Sequence, residues 1–334
     1  MTLTENASAR PGETRPGQNT STALERGRAA KGPSELTRRA WFSILGRVWR
    51  EIDEDRVLLI AAGVTFYLLL ALFPALAAFV SLYGFVADPR TIADHIAYLG
   101  GMLPSGGLDL IRTQLDALAT QDQRALSVGF LIGLAVALWS ANSGVKALFD
   151  AMNVAYGERE KRSIIVLNLW SGLFTLGAIM VGIVLLVAVG VVPAALSLLR
   201  IDRWTEIIVS TARWPITLAF VWTGITLIYR FGPSRERAKW RWLTWGATLA
   251  TLVWLAVSAG FSYYLQNFAD YNATYGSLGA VIGFMIWVWL SITILIVGAE
   301  LNSEMEHQTA VDSTVGAPKP MGERGARMAD TVAD

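Results

Sequence analysis

The chain has 334 residues, 53% of them hydrophobic and only 16% charged, with a net charge of +1. A soluble domain carries about 25% charged residues; here the apolar residues gather in long runs that leave too little polar chain to build one. The near-zero net charge points to neither nucleic acid nor an acidic partner. No cysteine is present, which removes disulfides, thiolate metal sites and cysteine nucleophiles, and His95 and His307 are the only histidines.

Residues 1–33 are rich in Ser, Thr, Gly, Pro and Arg and have no apolar core that could act as a signal peptide. Such a segment cannot bury enough apolar surface to fold and is expected to be a disordered cytoplasmic tail. Residues 307–334 read the same way. Within 36–55, Trp41, Ile44, Leu45, Val48, Trp49 and Ile52 fall on one helical face, with Arg38, Arg39, Arg47 and Arg50 elsewhere. This pattern predicts an interfacial amphipathic helix drawn to anionic cytoplasmic lipids.

A helix of about 20 apolar residues crosses the hydrocarbon core. Six segments qualify: 57–86, interrupted by Pro74; 126–146; 164–192, closed by Pro193; 215–231; 243–265; and 278–299. The fourth starts on Pro215, a position a helix tolerates. It is bracketed by Arg213 and Arg230, and its start can slide back to Ile207. Between the first two spans, Ile92, Ile96, Leu99 and Leu103, then Leu108, Ile111, Leu115 and Leu118, repeat with helical period and predict an outer helical hairpin over 88–122. The expected fold is an all-α bundle of about six transmembrane helices.

Orientation follows from Lys and Arg in the short loops. Ten precede the first span through Arg56, Arg159, Lys161 and Arg162 follow the second, and Arg230, Arg235, Arg237, Lys239 and Arg241 follow the fourth. The intervening loops are poorer: 266–277 has none. Both termini and both basic loops are therefore expected in the cytoplasm. Trp240, Trp242 and Trp245 at the start of the fifth span fit a membrane interface.

The polar residues that could do chemistry lie mainly at the end of the second span. Asn142, Lys146, Asp150 and Asn153 share a helical face at spacings of four, four and three, and Lys146 and Asp150 are spaced for an ion pair. A charge at mid-bilayer costs about 2.5–3.5 kcal/mol on insertion scales, which favours a polar cavity along this face. The plain alternative for Lys146 is snorkelling to the surface. Thr65 and Tyr67 precede Pro74, which removes a backbone hydrogen bond and leaves a carbonyl needing a partner. Asn168 reads as glue between helices and Glu300 as a solvated helix-end charge. Gly129, Gly133, Gly177, Gly182, Gly279 and Gly283 read as packing positions. There is no His-Glu-x-x-His pattern, Walker loop or paired intramembrane aspartate, so an enzyme is not expected.

The runs Ala61 to Tyr67 with Leu72-Phe73-Pro74, Leu138 to Asn142 with Ala151 to Gly157, Tyr229 to Pro233, Tyr275 to Ala280 and Gly298 to Asn302 stand in an order that resembles the YihY/BrkB family of bacterial inner-membrane proteins. The resemblance covers roughly residues 40–306. It implies six transmembrane helices and no settled activity; an older ribonuclease BN label is regarded as wrong. Some members are similar to envelope or virulence factors suspected of moving lipids or solutes. Residues and resemblance together favour a membrane protein that binds or moves an amphiphile, its partners membrane lipids of anionic type; the polar face of the second span, the kinked first span and the two basic loops, with Arg230 as a lining candidate, would form the route. No cofactor, metal or nucleic acid is expected. The other reading is a non-transporting scaffold of envelope machinery.

Overall fold

The computed structural model describes residues 27–86, 123–186, 203–267 and 279–333. Within them lie α1 (Arg38–Glu54), α2 (Val57–Val86), α3 (Gln123–Ala155), α4 (Ile164–Leu186), α5 (Arg203–Phe231), α6 (Trp240–Asn267), α7 (Gly279–His307) and the short α8 (Arg327–Asp330). The expected outer hairpin over 88–122, Pro193 and the Tyr271–Gly276 loop lie outside the described residues. So do residues 1–26.

Among the described residues, five helices contain a stretch long and apolar enough to cross a membrane: Val57–Ala75, Phe130–Ala155, Ile164–Gly182, Trp240–Leu265 and Val281–His307. The fourth expected crossing is α5. Its 29 residues span about 44 Å at 1.5 Å per residue, ample for a hydrocarbon core of about 30 Å, but it does not reach the apolarity of the other five. Pro215 lies inside this helix, not at its start. A membrane helix tolerates an internal proline where neighbours cover the freed carbonyl, and α5 packs between α4 and α6.

Helices α2 to α7 form a ring in chain order, with α7 returning to α2. The largest buried side chains are Phe149, Met152 and Tyr156 at the end of α3, Tyr229 on α5, Trp242 and Leu243 at the start of α6, and Ile296 and Met305 on α7. The described core therefore sits at the end of the ring where the chain ends and basic loops meet, here called the terminal end. Helices α6 and α7 approach most closely at Gly246 and Gly298, where an added Cβ would strike the facing helix. Gly177 and Gly182, expected to mark packing, have open space beside them.

Helix α1 starts on Thr37, whose hydroxyl accepts the Ala40 N–H at 3.2 Å, a usual N-cap. Its expected apolar face divides in two. Ala40, Ile44 and Val48 pack on Trp242, Leu301 and Met305, whereas Phe42, Leu45 and Trp49 are exposed. Trp242 is consequently a core residue and not an interface residue, while Trp240 and Trp245 are half exposed. Arg47 also turns inward, forming an ion pair with the buried Glu304. At Arg56 the backbone is left-handed, with φ of 52°, and the chain turns directly into α2.

The C-terminal segment is ordered, contrary to the expectation from its composition. Lys239 N–H bonds to Ser313 O and Val315 N–H to Arg237 O, both near 2.9 Å. Ala333 N–H returns to His307 O at 2.8 Å. Asp312 accepts from Thr314 and Lys319, Asp330 accepts from Gly322 and Arg324, and the buried Arg324 guanidinium donates to three carbonyls. These local bonds satisfy the backbone that a small apolar core would otherwise leave unpaired. Residues 27–33 join the same structure, with Thr309 donating to Ala30 O at 2.7 Å.

Candidate functional site

The polar face expected on α3 divides into separate roles. Asn153 is buried and joins the two basic loops: its Nδ2 donates to Glu160 Oε2 at 3.1 Å and its Oδ1 accepts from Ser234 N–H at 2.6 Å. Asp150 is exposed and Lys146 half-buried, and no ion pair joins them among the described residues. The charges acting on Asp150 are those of Glu160 and Arg162. Asn142 is half-buried, and its Oδ1 has no hydrogen-bond partner among the described residues.

The first-span candidates are likewise spread out. Thr65 is buried with its hydroxyl bonded to Ala61 O in its own helix at 2.7 Å, Tyr67 is exposed beside Phe66, and Pro74 lies half-buried within α2. Asn168 does not bridge helices. It is exposed and donates to Ile164 O of its own helix at 2.8 Å.

Arg230, the last candidate, leads to a better defined site. A cleft of about 290 Å³ opens at the terminal end between the α3–α4 and α5–α6 loops. Lys161, Arg162, Arg230, Arg235 and Arg237 line it together with one acid, Glu236, and Trp170 and Phe231 form an aromatic wall; these two rings stack at 5.5 Å. Gly325 of the C-terminal segment contributes to the rim.

The five cations differ in what they face. Arg162 makes paired bonds to Glu160 at 2.8 and 2.7 Å and also donates to the Phe231 and Gly232 carbonyls. Burial works against the Glu160 charge, but the Arg162 hydrogen bonds outweigh it and hold the carboxyl down at about 2. Lys161 meets Glu158 at 2.8 Å. Arg235 is 3% exposed and pairs with Glu306 at 2.6 Å, yet its Nη1 has no partner among the described residues. Arg230 donates to Ala238 O at 2.6 Å and lies over the Trp240 ring at 4.2 Å. Arg237 is exposed and lies over Phe231 at 5.0 Å. Neither of these last two meets a carboxylate among the described residues.

The geometry offers guanidinium N–H groups in a shaped, aromatic-walled cavity, which suits a planar or tetrahedral oxyanion. Sequence reasoning took the two basic loops as cationic rims of the route but did not single out Arg235 and Arg237 within them. The signal that could have raised them is the use of Arg in place of Lys in so short a loop.

Glu300 was expected to be solvated, but it is 1% exposed. The fold of α1 and the C-terminal segment over the end of α7 removes it from water. Asp55, at the α1–α2 junction, is among the charges that act on it. Burial pushes the Asp55 carboxyl up, with Glu54 adding to the effect.

The family model described as virulence factor BrkB matches residues 48–322. The chain belongs to the BrkB family. Among relatives, the ribonuclease-like protein YfkH of Bacillus subtilis is 29% identical over 253 residues, covering 73% of this chain and 88% of that protein. A UPF0761 membrane protein of Neisseria meningitidis serogroup B is 27% identical over 272 residues, 80% of this chain and 63% of its own length. One from Paraburkholderia xenovorans is 26% identical over 266 residues, with 76% and 57% covered. The chain thus spans less than two thirds of the length of these two UPF0761 relatives. No solved structure matches it.

Proposed function

We propose that this BrkB-family protein lies in the bacterial cytoplasmic membrane with its terminal end in the cytoplasm, binds the headgroup of an anionic amphiphile there, and carries it along the ring. The cleft is the observation that supports this reading: Arg230 and Arg237 line one cavity and meet no carboxylate among the described residues. The cavity reaches Trp170 of α4, and that helix presents Ile165, Leu169, Leu173 and Leu176 to its surroundings. A headgroup in the cleft would therefore have its chains beside an apolar helix face. Cationic groups at the cytoplasmic leaflet attract anionic lipids by about 1 kcal/mol each, and the exposed Phe42, Leu45 and Trp49 of α1 suit the same interface. Asn142 is the group on α3 best placed to face a polar solute within the membrane, since its amide oxygen is buried without a partner among the described residues.

Movement is tested by reconstitution. Vesicles containing the protein and headgroup-labelled phosphatidylglycerol should exchange that lipid between leaflets faster than protein-free vesicles, and faster than they exchange labelled phosphatidylcholine. Equal rates with and without protein would leave binding alone and favour the scaffold reading. An enzymatic function has no support in these residues, and the ribonuclease-like name belongs to the Bacillus relative.

A further inference from the structure

The cleft holds one acid among its cations. Glu236 lines the cavity between Arg235 and Arg237 and is exposed. Its carboxylate meets no cation or hydrogen-bond donor among the described residues. Its backbone, by contrast, is fixed from both sides. The Glu236 N–H donates to Gly325 O at 3.1 Å, and the Glu236 carbonyl accepts from Arg235 Nε at 3.1 Å. Gly325, itself part of the cavity wall, has a left-handed backbone with φ of 70°. A Cβ added there would lie 3.7 Å from the Glu236 Cβ. The C-terminal segment thus places this acid at the cavity while leaving its carboxylate free.

Lys161, Arg162 and Arg235 are each matched by a glutamate outside the cavity lining. Arg230 and Arg237 are not, and against Glu236 they leave the cavity with a surplus of one positive charge. That suits a monoanion, but the carboxylate repels it unless the ligand also brings a donor. A carboxylate accepts hydrogen bonds and donates none. An ammonium would satisfy it only by adding a cation to a cavity already in surplus, whereas a hydroxyl satisfies it at no charge. At about 30 Å³ for each water-sized group, a cavity of about 290 Å³ holds more than a phosphate alone.

We propose that Glu236 selects headgroups carrying an uncharged hydroxyl beside the phosphodiester, as a phosphoglycerol or another polyol phosphate does, while Arg230 and Arg237 take the phosphate. This rests on the reading of the cleft as an anionic headgroup site.

The test is a tryptophan-fluorescence titration of the full-length protein in neutral detergent with two dioctanoyl lipids of equal charge. Phosphatidylglycerol has headgroup hydroxyls and phosphatidylmethanol has none. In the ratio of their dissociation constants, the general attraction of the cleft for a phosphate monoanion cancels. The wild type should prefer phosphatidylglycerol by about tenfold, the low end for a hydrogen bond to a charged group. In Glu236→Ala the ratio should fall to about one, and phosphatidylmethanol should bind more tightly than it does to the wild type, because a like charge is gone. Glu236→Gln, which keeps an acceptor, should retain a preference for phosphatidylglycerol. Equal affinity of the wild type for the two lipids, or an undiminished preference in Glu236→Ala, overturns the role of Glu236 while leaving the cleft as an anion site. Absence of binding of either lipid, or wild-type binding of both by Arg230→Gln/Arg237→Gln, overturns the anion site itself.

Discussion

The α3–α4 and α5–α6 loops carry comparable basic charge, yet they hold it differently. In the first, Lys161 and Arg162 are each matched by a glutamate two or three positions away, and Arg162 additionally clamps the carbonyls that end α5. In the second, Arg230 and Arg237 face aromatic rings and meet no carboxylate among the described residues, while Arg235 is buried against Glu306. For membrane orientation the two loops are equivalent, because that rule counts Lys and Arg with little regard to acids. For binding they are not: a guanidinium already joined to a carboxylate offers little to an incoming anion. Charge count and charge availability are separate properties.

If this contrast holds, the first loop should respond to mutation in stability and the second in binding. The largest loss is expected for Arg162→Ala, which strands Glu160 and frees two carbonyls. Equilibrium unfolding in mixed micelles should show about 2–3 kcal/mol, toward the low end for a buried pair because both partners keep some exposure. Asn153→Ala should follow at about 2 kcal/mol, since it leaves the buried Ser234 N–H without an acceptor. Lys161→Gln should change stability by no more than a few tenths of a kcal/mol, its ammonium being solvent-exposed. A loss for Lys161→Gln as large as for Arg162→Ala would erase the distinction drawn within the first loop.

The same pair gives a pH signature. The Glu160 carboxyl is lowered from an ordinary 4.5 to about 2 in the folded protein, so its contribution is complete above 4.5. That contribution is lost as pH falls from there through about 2. Melting temperature followed over this window should drop less steeply in Glu160→Gln than in the wild type. Identical slopes would mean that the Glu160–Arg162 bonds are not maintained in solution.

The helices were legible in the sequence because their signals are local. The apolar runs predicted α2 with its observed bounds, and the amphipathic repeat located α1. The residues misread are those whose surroundings come from distant parts of the chain. Glu300 looks like a helix-end charge until α1 and the C-terminal segment cover it. That segment looks disordered by composition, yet Asp312, Arg324 and Asp330 organise its backbone. Lys146 and Asp150 have ion-pair spacing, but spacing sets what can meet and not what does. Arg230 was legible as a lining candidate in a basic loop, whereas the pairing of Arg235 with Glu306, 71 positions along the chain, was not.

Lipid retention separates binding from folding most directly. The wild type and the Arg230→Gln/Arg237→Gln double variant would be purified in the same mild detergent, their melting temperatures compared, and their co-purifying lipids quantified by mass spectrometry. The wild type should retain anionic phospholipid well above its share of the membrane. The double variant, with an unchanged melting temperature, should retain it at or near that share. Equal anionic enrichment in the two proteins would contradict the assignment of the cleft as the headgroup site.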